Sequence, residues 1–354
     1  MAIKVLIAMS GGVDSAVAAH IIRQNGFDAV AATMKIGQLY CSDECENCCC
    51  SDQNITDAKA MAQFFGIEHY TVDLTDAFRQ HVSDNFIQTY LNGATPNPCI
   101  ECNRHIKFGK LLDFAIESGA QKIATGHYAD MREQDGRYLL FRAADPTKDQ
   151  TYMLWQLTQH QLAHAMFPLA KLSKETVREI AAELGIVAAT KKDSQDICFI
   201  PDGEYAKFIR NATNANLPEG NFVDAEGNVL GKHKGIIHYT PGQRKGLGIT
   251  FGQPMYVKSK SAADNNVTLC KNEELFSTKV TAHKINLISC DSISDSLRVT
   301  AKIRYSQKEE KATVFQTSDD EIVLEFDNPQ RAVSPGQSVV MYDGCTVVGG
   351  GIIK

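Results

Sequence analysis

Residues 5–15, Val-Leu-Ile-Ala-Met-Ser-Gly-Gly-Val-Asp-Ser, constrain this chain more than any other stretch. The apolar run 5–9 has the composition of a strand buried on both faces of a parallel sheet. It stops at Ser10-Gly11-Gly12, and residues 13–22 then carry helical spacing that ends near Asn25-Gly26. A strand that feeds a helix through two glycines brings backbone N–H groups close to an anion, and the helix dipole adds to their pull. The turn therefore suits a phosphate. It is not a Walker A loop, because no Gly-Lys-Ser/Thr closes it. Nor is it G-x-G-x-x-G, since Gly11 and Gly12 are adjacent and no third glycine follows. A small-residue turn with serine as helix cap is the structural alternative.

Strand and helix continue to alternate to about residue 130. Residues 29–34, 70–74 and 121–125 read as strands, the last ending at Gly126-His127. Residues 54–66 place Ile55, Ala58, Met61, Ala62 and Phe65 at helical spacing, and 107–119 reads as another helix. This predicts a doubly wound parallel sheet, whose ligands bind beyond the carboxyl ends of the strands. Ser10, Met34 and Gly126 fall at such ends and are expected to converge on one nucleotide. Residues 151–213 read as largely helical, in segments 152–164, 174–184 and 203–212. From Gly220 the pattern changes to short alternating runs with turn signals at Asp224-Ala225-Glu226-Gly227, Thr240-Pro241-Gly242 and Ser334-Pro335-Gly336, an all-β pattern.

A chain of 354 residues predicts two or three domains. Met-Ala-Ile-Lys-Val runs straight into the first strand with no room for a signal peptide, and no apolar stretch reaches membrane-spanning length. The expectation is a cytoplasmic protein without a membrane partner. Eleven cysteines, an odd number with five between Cys41 and Cys50, exclude a secreted disulfide framework and point to metal binding or thiol chemistry. A net charge of −6 argues against non-specific nucleic-acid binding by the whole surface. Yet residues 227–263 contain no Asp or Glu while holding Lys232, Lys234, Arg244, Lys245, Lys258 and Lys260. Residues 102–112 are also acid-free and carry Arg104, Lys107 and Lys110. Such stretches in an acidic chain favour a polyanion surface over a merely solvated face.

Cysteine chemistry has three candidate places. In Thr95-Pro96-Asn97-Pro98-Cys99-Ile100-Glu101-Cys102-Asn103 the two prolines predict a shaped loop before the helix at Lys107. Cys102 there adjoins the basic run 104–110, which is expected to lower its thiol pKa; a buried structural cysteine or a metal pair with Cys99 fits the spacing as well. Cys198 lies in an apolar run, and its meaning depends on whether it reaches Cys102. Cys41-x3-Cys45-x2-Cys48-Cys49-Cys50 has the spacing of a zinc or iron–sulfur loop, or of a tolerated insert.

Ser10-Gly11-Gly12-Val13-Asp14-Ser15 resembles the PP-loop of ATP pyrophosphatases, which split ATP to AMP and pyrophosphate while activating an acceptor. With it stand Cys49-Cys50-Ser51, Thr95-Pro96-Asn97-Pro98, Cys102-Asn103, Ile106-Lys107-Phe108, Ala124-Thr125-Gly126-His127-Tyr128, Lys148-Asp149-Gln150, Ser194-Gln195, Ile197-Cys198-Phe199 and Pro241-Gly242. Together, and in this order over nearly the whole chain, these blocks resemble the tRNA-specific 2-thiouridylases, the bacterial MnmA family. The resemblance implies an α/β PP-loop domain with a helical extension (1–213), a small β-rich central domain (214–272) and a C-terminal β-barrel (273–354). It implies a tRNA-uridine 2-sulfurtransferase that replaces the 2-oxygen of the wobble uridine in tRNAs for Lys, Glu and Gln. Ala8, Met9, Ser10, Gly11, Gly12, Val13, Asp14, Ser15, Met34 and Gly126 would bind ATP. Asn97, Pro98 and Cys99 would lie against the target base, and Lys148, Asp149, Gln150, Arg304 and Tyr305 against the tRNA. Cys198 would carry a persulfide, and Cys102 would act as nucleophile and form a disulfide with it. Mg2+ would accompany ATP, with Asp14 the nearest candidate ligand. A sulfur-donor protein would be a partner, and the family suggests a monomer.

One position departs from the family: many members have Asp where Cys99 stands. The replacement sets three thiols, Cys99, Cys102 and Cys198, around one site, which would also suit a [4Fe–4S] cluster as an alternative sulfur route. Two other readings remain: a PP-loop ligase making a small product, and a non-catalytic redox-sensing RNA-binding protein.

Overall fold

The computed structural model describes residues 2–37, 52–186, 197–200, 203–213, 217–250 and 252–354. The cysteines from Cys41 to Cys50 and the Ser194-Gln195 pair lie outside these residues. The chain separates into two compact units. One comprises 1–83, 98–204 and 345–347; the other comprises 84–97, 205–344 and 348–354.

In the first unit, Lys4–Ala8 (β1) leads through the Gly11-Gly12 turn into Val13–Gln24 (α1), followed by Asp28–Lys35 (β2), Asp52–Phe64 (α2) and Glu68–Asp73 (β3). Val5, Leu6 and Ile7 are fully buried, as a central parallel strand covered on both faces requires. Ala16, Ala18 and Ala19 are small enough to let α1 approach the sheet closely, and Val17 and Ile22 fill the remaining space. Thr75–Phe78 (α3) continues through a π-helical turn, Arg79–Ser83, into Asp84–Leu91 (α4), which is counted with the second unit. Pro98–Glu101 (α5) enters a π-helix, Cys102–Lys110, which returns to α-geometry at Leu111–Glu117 (α6). Lys122–Ala124 (β4) follows, then a hairpin of Asp130–Gln134 (β5) and Arg137–Phe141 (β6), a 3-10 turn at Thr151–Met153, Gln159–His164 (α7), Ala165–Met166 (β7) and Lys174–Glu183 (α8). The sheet order is β3-β2-β1-β4-β7, and every pairing is parallel. The doubly wound sheet is thus present.

Two local expectations need correction. The segment before Lys107 is not a loop: helix begins at Pro98, because proline at a first helical position forfeits only an N–H that would be unpaired anyway. The single helix expected over 152–164 is broken. Thr158 accepts from Gln161 N–H while the Gln161 side chain accepts from Thr158 N–H, and this capping box starts a new helix. Tyr152, Leu154, Trp155 and Leu157 before it are buried on all sides, so their apolar content reflects core packing rather than a helix face.

The second unit holds Tyr205–Thr213 (α9), then Gly220–Val223 (β8), Val229–His233 (β9), Tyr256–Ser261 (β10) and Asn266–Cys270 (β11), which form one sheet in the order β10-β11-β8-β9. A 3-10 turn at Asn272–Leu275 leads to Phe276–Leu287 (β12), Leu297–Lys302 (β13), Glu310–Ser318 (β14), Glu321–Arg331 (β15), Ser338–Asp343 (β16) and Thr346–Ile353 (β17). These six strands run β12-β15-β14-β13-β16-β17, and β12 pairs with β17 to close a barrel. Closure leaves no open edge for unwanted pairing. Val280, Ala282, Val299, Ala301, Val314, Leu324 and Met341 fill its interior. The segment before Pro98 belongs here. Thr95 N–H donates to Pro335 O at 2.8 Å, and Gln337 Nε2 donates to the carbonyls of Thr95 and Pro96 at 3.1 Å each.

Candidate active site

The nucleotide turn is held by its own side chains. Ser10 N–H donates to Ser15 Oγ at 3.3 Å, and Ser15 Oγ donates to Gly12 O at 2.9 Å. Gly11 has φ +74, and a Cβ there would lie 2.9 Å from Asn54 O, so glycine is required on both counts. Gly12 caps α1 with extended backbone and no side-chain hydrogen bond, the kind of uncapped helix start that suits an anion. Register Ala8↔Ala32 and Ile7↔Ala124 brings Ser10, Met34 and Gly126 to one edge of the sheet. A Cβ on Gly126 would fall 2.9 Å from Asp14 C and Ser15 N, so β4 ends against the backbone of the first turn of α1.

Asp14 is already engaged. Lys174 Nζ donates to both of its carboxylate oxygens at 2.8 Å, and Tyr128 Oη donates to Oδ1 at 2.9 Å. A carboxylate committed to a buried ammonium and a phenol does not fit the role of an open Mg2+ ligand, so that assignment is withdrawn. Lys174 escaped the sequence reading, although a signal was present. A lysine at the first position of a helix opposes the dipole, and such a cation calls for a carboxylate partner.

The π-helix opens on Cys102, one turn after Cys99 on α5. Its i→i+5 winding differs in phase from an α-helix, and stretches of this kind recur at functional sites. Gln161 Nε2 donates to the carbonyls of Arg104 and Phe108 at 2.8 Å each, fastening the π-helix to the start of α7. None of Cys99, Cys102 and Cys198 is joined in a disulfide. Burial pushes Cys102 up to about 12, against the lowering by Lys107, and the charges of Cys198 and Cys99 raise it further. Cys99 is exposed, yet desolvation by the atoms around it raises its thiol to about 11, with Cys198 adding to the rise and Lys107 opposing it. The three sulfurs therefore lie within electrostatic reach of one another, and Cys99 and Cys102 within reach of Lys107. The expected lowering of Cys102 is overturned: the desolvation of a thiolate outweighs one neighbouring ammonium.

Lys107 Nζ also lies 3.4 Å from His127 Nε2, and His127 Nδ1 lies 2.7 Å from Thr125 Oγ1. Burial, then Lys107, lowers the His127 pKa well below its ordinary value. Lysine can only donate, so Nε2 accepts and Nδ1 carries the proton. Among the described residues, no group of three or more His, Cys, Asp or Glu side chains has the arrangement of a metal site. Cys99, Cys102 and Cys198 do not fit a [4Fe–4S] cluster, and the cluster route is set aside.

The other predicted contacts divide. Asp149 is buried and accepts from Ala143 N–H, Thr151 Oγ1 and Arg142, and Gln150 Oε1 accepts from Tyr128 N–H at 3.0 Å. Both spend side-chain atoms on the protein, while Lys148 is half-buried. Arg304 donates to the carbonyls of Arg331 and Ala332, and Tyr305 is exposed. Of the six basic residues in 227–263, Lys260 is not a surface cation. It lies 5.5 Å over the Tyr90 ring and its Nζ is 3.4 Å from Ala94 O.

A parallel sheet whose first strand ends in Ser-Gly-Gly-x-Asp-Ser, with the helix N-terminus open and no Walker lysine, defines an ATP-using PP-loop protein. Residues 3–202 match the tRNA methyl transferase HUP domain, 206–271 the tRNA methyl transferase PRC-barrel domain, and 277–353 the aminomethyltransferase beta-barrel domain. The chain is 49% identical to the tRNA-specific 2-thiouridylase MnmA of Clostridioides difficile, covering 99% of this chain and 98% of that one. It is 48% identical to the protein of the same name from Acetivibrio thermocellus, covering 99% of each. It is 47% identical to that of Clostridium acetobutylicum, again covering 99% of each. The chain belongs to the tRNA-specific 2-thiouridylase family.

Proposed function

We propose that this protein is an ATP-dependent tRNA-uridine 2-sulfurtransferase that follows a persulfide route. The observation that carries the reading is the Lys107–His127 contact at 3.4 Å. Residue 127 adjoins Gly126 at the nucleotide edge, while Lys107 acts electrostatically on Cys99 and Cys102. An activating site and a thiol site thereby meet through one lysine.

The chemistry needs both halves. The uridine 2-oxygen attacks the α-phosphorus of ATP and pyrophosphate departs, which converts a poor leaving group into AMP. A terminal sulfur carried as a persulfide on Cys198 attacks C2, and AMP leaves with the former 2-oxygen. Cys102 then attacks Cys198 Sγ; the sulfur–sulfur bond to the base breaks, 2-thiouridine is released, and a Cys102–Cys198 disulfide forms. An external thiol reductant restores both cysteines, and a sulfur-donor protein reloads Cys198. Mg2+, when bound with ATP, neutralises phosphate charge. Residues 8–15, Met34 and Gly126 bind the nucleotide, and Asn97, Pro98 and Cys99 flank the base. Lys148, Asp149, Gln150, Arg304 and Tyr305 meet tRNA for Lys, Glu or Gln, and the protein works as a cytoplasmic monomer. The burial of Cys102 supports a thiol kept protonated until its partner sulfur arrives.

Incubation with unmodified tRNA, ATP, Mg2+ and a persulfide donor should yield AMP and 2-thiouridine. Cys198→Ser should abolish thiolation and leave adenylation measurable. Thiolation that survives in Cys198→Ser would overturn the persulfide assignment.

A further inference from the structure

The loop 145–151 carries the Lys148-Asp149-Gln150 block, and it is joined to Asp14 by two separate arms. In the first, Asp145 Oδ2 accepts from the backbone N–H of Lys174 at 3.1 Å, and Lys174 Nζ grips both oxygens of Asp14. In the second, Gln150 clasps Tyr128 twice: Gln150 N–H donates to Tyr128 O at 2.9 Å, and Gln150 Oε1 accepts from Tyr128 N–H at 3.0 Å. The Tyr128 hydroxyl then donates to Asp14 Oδ1 at 2.9 Å. The loop between the arms is braced internally. Asp145 Oδ1 accepts from both N–H and Oγ of Thr147, and Asp149 accepts from Ala143, Thr151 and Arg142.

Asp14 stands in the first turn of α1, directly beneath Gly126 and one residue before the serine that closes the nucleotide turn. Its carboxylate is therefore the point at which the loop and the turn share an atom. A loop braced in this way cannot shift without moving Tyr128 or Lys174, and each of those moves Asp14. We propose that Tyr128 and Lys174 are positioning residues that couple the 145–151 loop to the nucleotide turn through Asp14, so that RNA held at the loop sets the turn for ATP. The proposal rests on the reading of Lys148, Asp149 and Gln150 as an RNA contact. By linkage, a nucleotide in the turn must in turn strengthen RNA binding at the loop by the same factor.

The test uses the full chain, unmodified tRNA and a non-hydrolysable ATP analogue bridged by methylene between the α and β phosphates. In the wild type, saturating tRNA is expected to tighten analogue binding by about fivefold or more in calorimetry, within the ordinary range of coupling, and the analogue to tighten tRNA binding equally. Tyr128→Phe keeps the ring and leaves Lys174 on Asp14. It should bind analogue alone nearly as the wild type does, yet bring the coupling factor close to one. Gln150→Ala, which removes the side-chain half of the clasp, should lower the factor by an independent change, and Lys174→Arg should restore part of what Lys174→Met loses. A merely structural role would shift both affinities and leave their ratio alone. A wild-type factor of one, or an unchanged factor in Tyr128→Phe and Gln150→Ala, overturns the proposal. Persistent coupling in a Cys198→Ser protein that still thiolates would instead sink the sulfur assignment and leave the coupling standing, whereas absence of tRNA binding overturns both.

Discussion

Gly126 shows how much a single missing methyl can decide. Its Cβ would sit 2.9 Å from two backbone atoms of α1, which cannot rotate away as a side chain would. Gly126→Ala is expected to push β4 off the first turn of α1 and to weaken ATP affinity at least tenfold, about 1.4 kcal/mol, measurable by calorimetry. The place of Gly126 at the end of β4 was legible because a glycine after an apolar run is a local sign. The ionisation of Cys102 was not. The basic neighbours Arg104, Lys107 and Lys110 are visible in sequence, but the desolvation that raises the thiol to about 12 is a property of the folded packing, which no local pattern shows. The proximity of Cys198 to Cys102 is likewise non-local, separated by almost a hundred residues, and no spacing rule encodes it.

At the level of elements, Gln161 does three jobs with one amide. It accepts from Thr158 N–H and donates to two carbonyls of the π-helix. Gln161→Leu leaves those three backbone groups without this partner, and at about 1 kcal/mol each the expected loss is about 2–3 kcal/mol, seen as a lower urea midpoint. The β1-turn-α1 unit could be read in advance because its strand, turn and helix signals are contiguous. The β5–β6 hairpin was missed although Asp135-Gly136 is a favoured turn pair, and both residues adopt positive φ, at 51° and 76°. The helix at Pro98 was misread for the opposite reason: a strong local sign, proline, was taken as a breaker where it serves as a first residue. The π winding itself leaves no distinct periodicity in so short a segment.

For the whole molecule, acid-free stretches of sequence do not translate directly into charged surface. Lys232, Lys234, Arg244 and Lys245 are exposed, whereas Lys260 is enclosed against Tyr90 and Ala94. Arg244→Ala and Lys245→Ala should each weaken tRNA binding and reduce the slope of log affinity against log salt by about one, while Lys260→Met should leave that slope unchanged. Lys260 reports instead on stability. Burial lowers its amine to about 8, from 10.5. Between these values the unfolded chain holds a proton that the folded chain has released, so this residue makes stability rise with pH across that window. The rise should vanish in Lys260→Met, compared with the wild type by urea titration at pH 8 and pH 10. The two compact units also have a consequence for synthesis on the ribosome. The chain spends residues 84–97 in the second unit and returns to the first at Pro98, long before residues 205–344 have been made. Phe86 and Tyr90, which pack against Phe208 and Tyr205, must wait for those partners with their apolar faces uncovered. Emergence of the nascent chain thus imposes an order: the segment leading into the Cys99 helix settles last, after translation has passed the middle of the sequence, and a fragment ending near residue 204 would leave it without its packing partners.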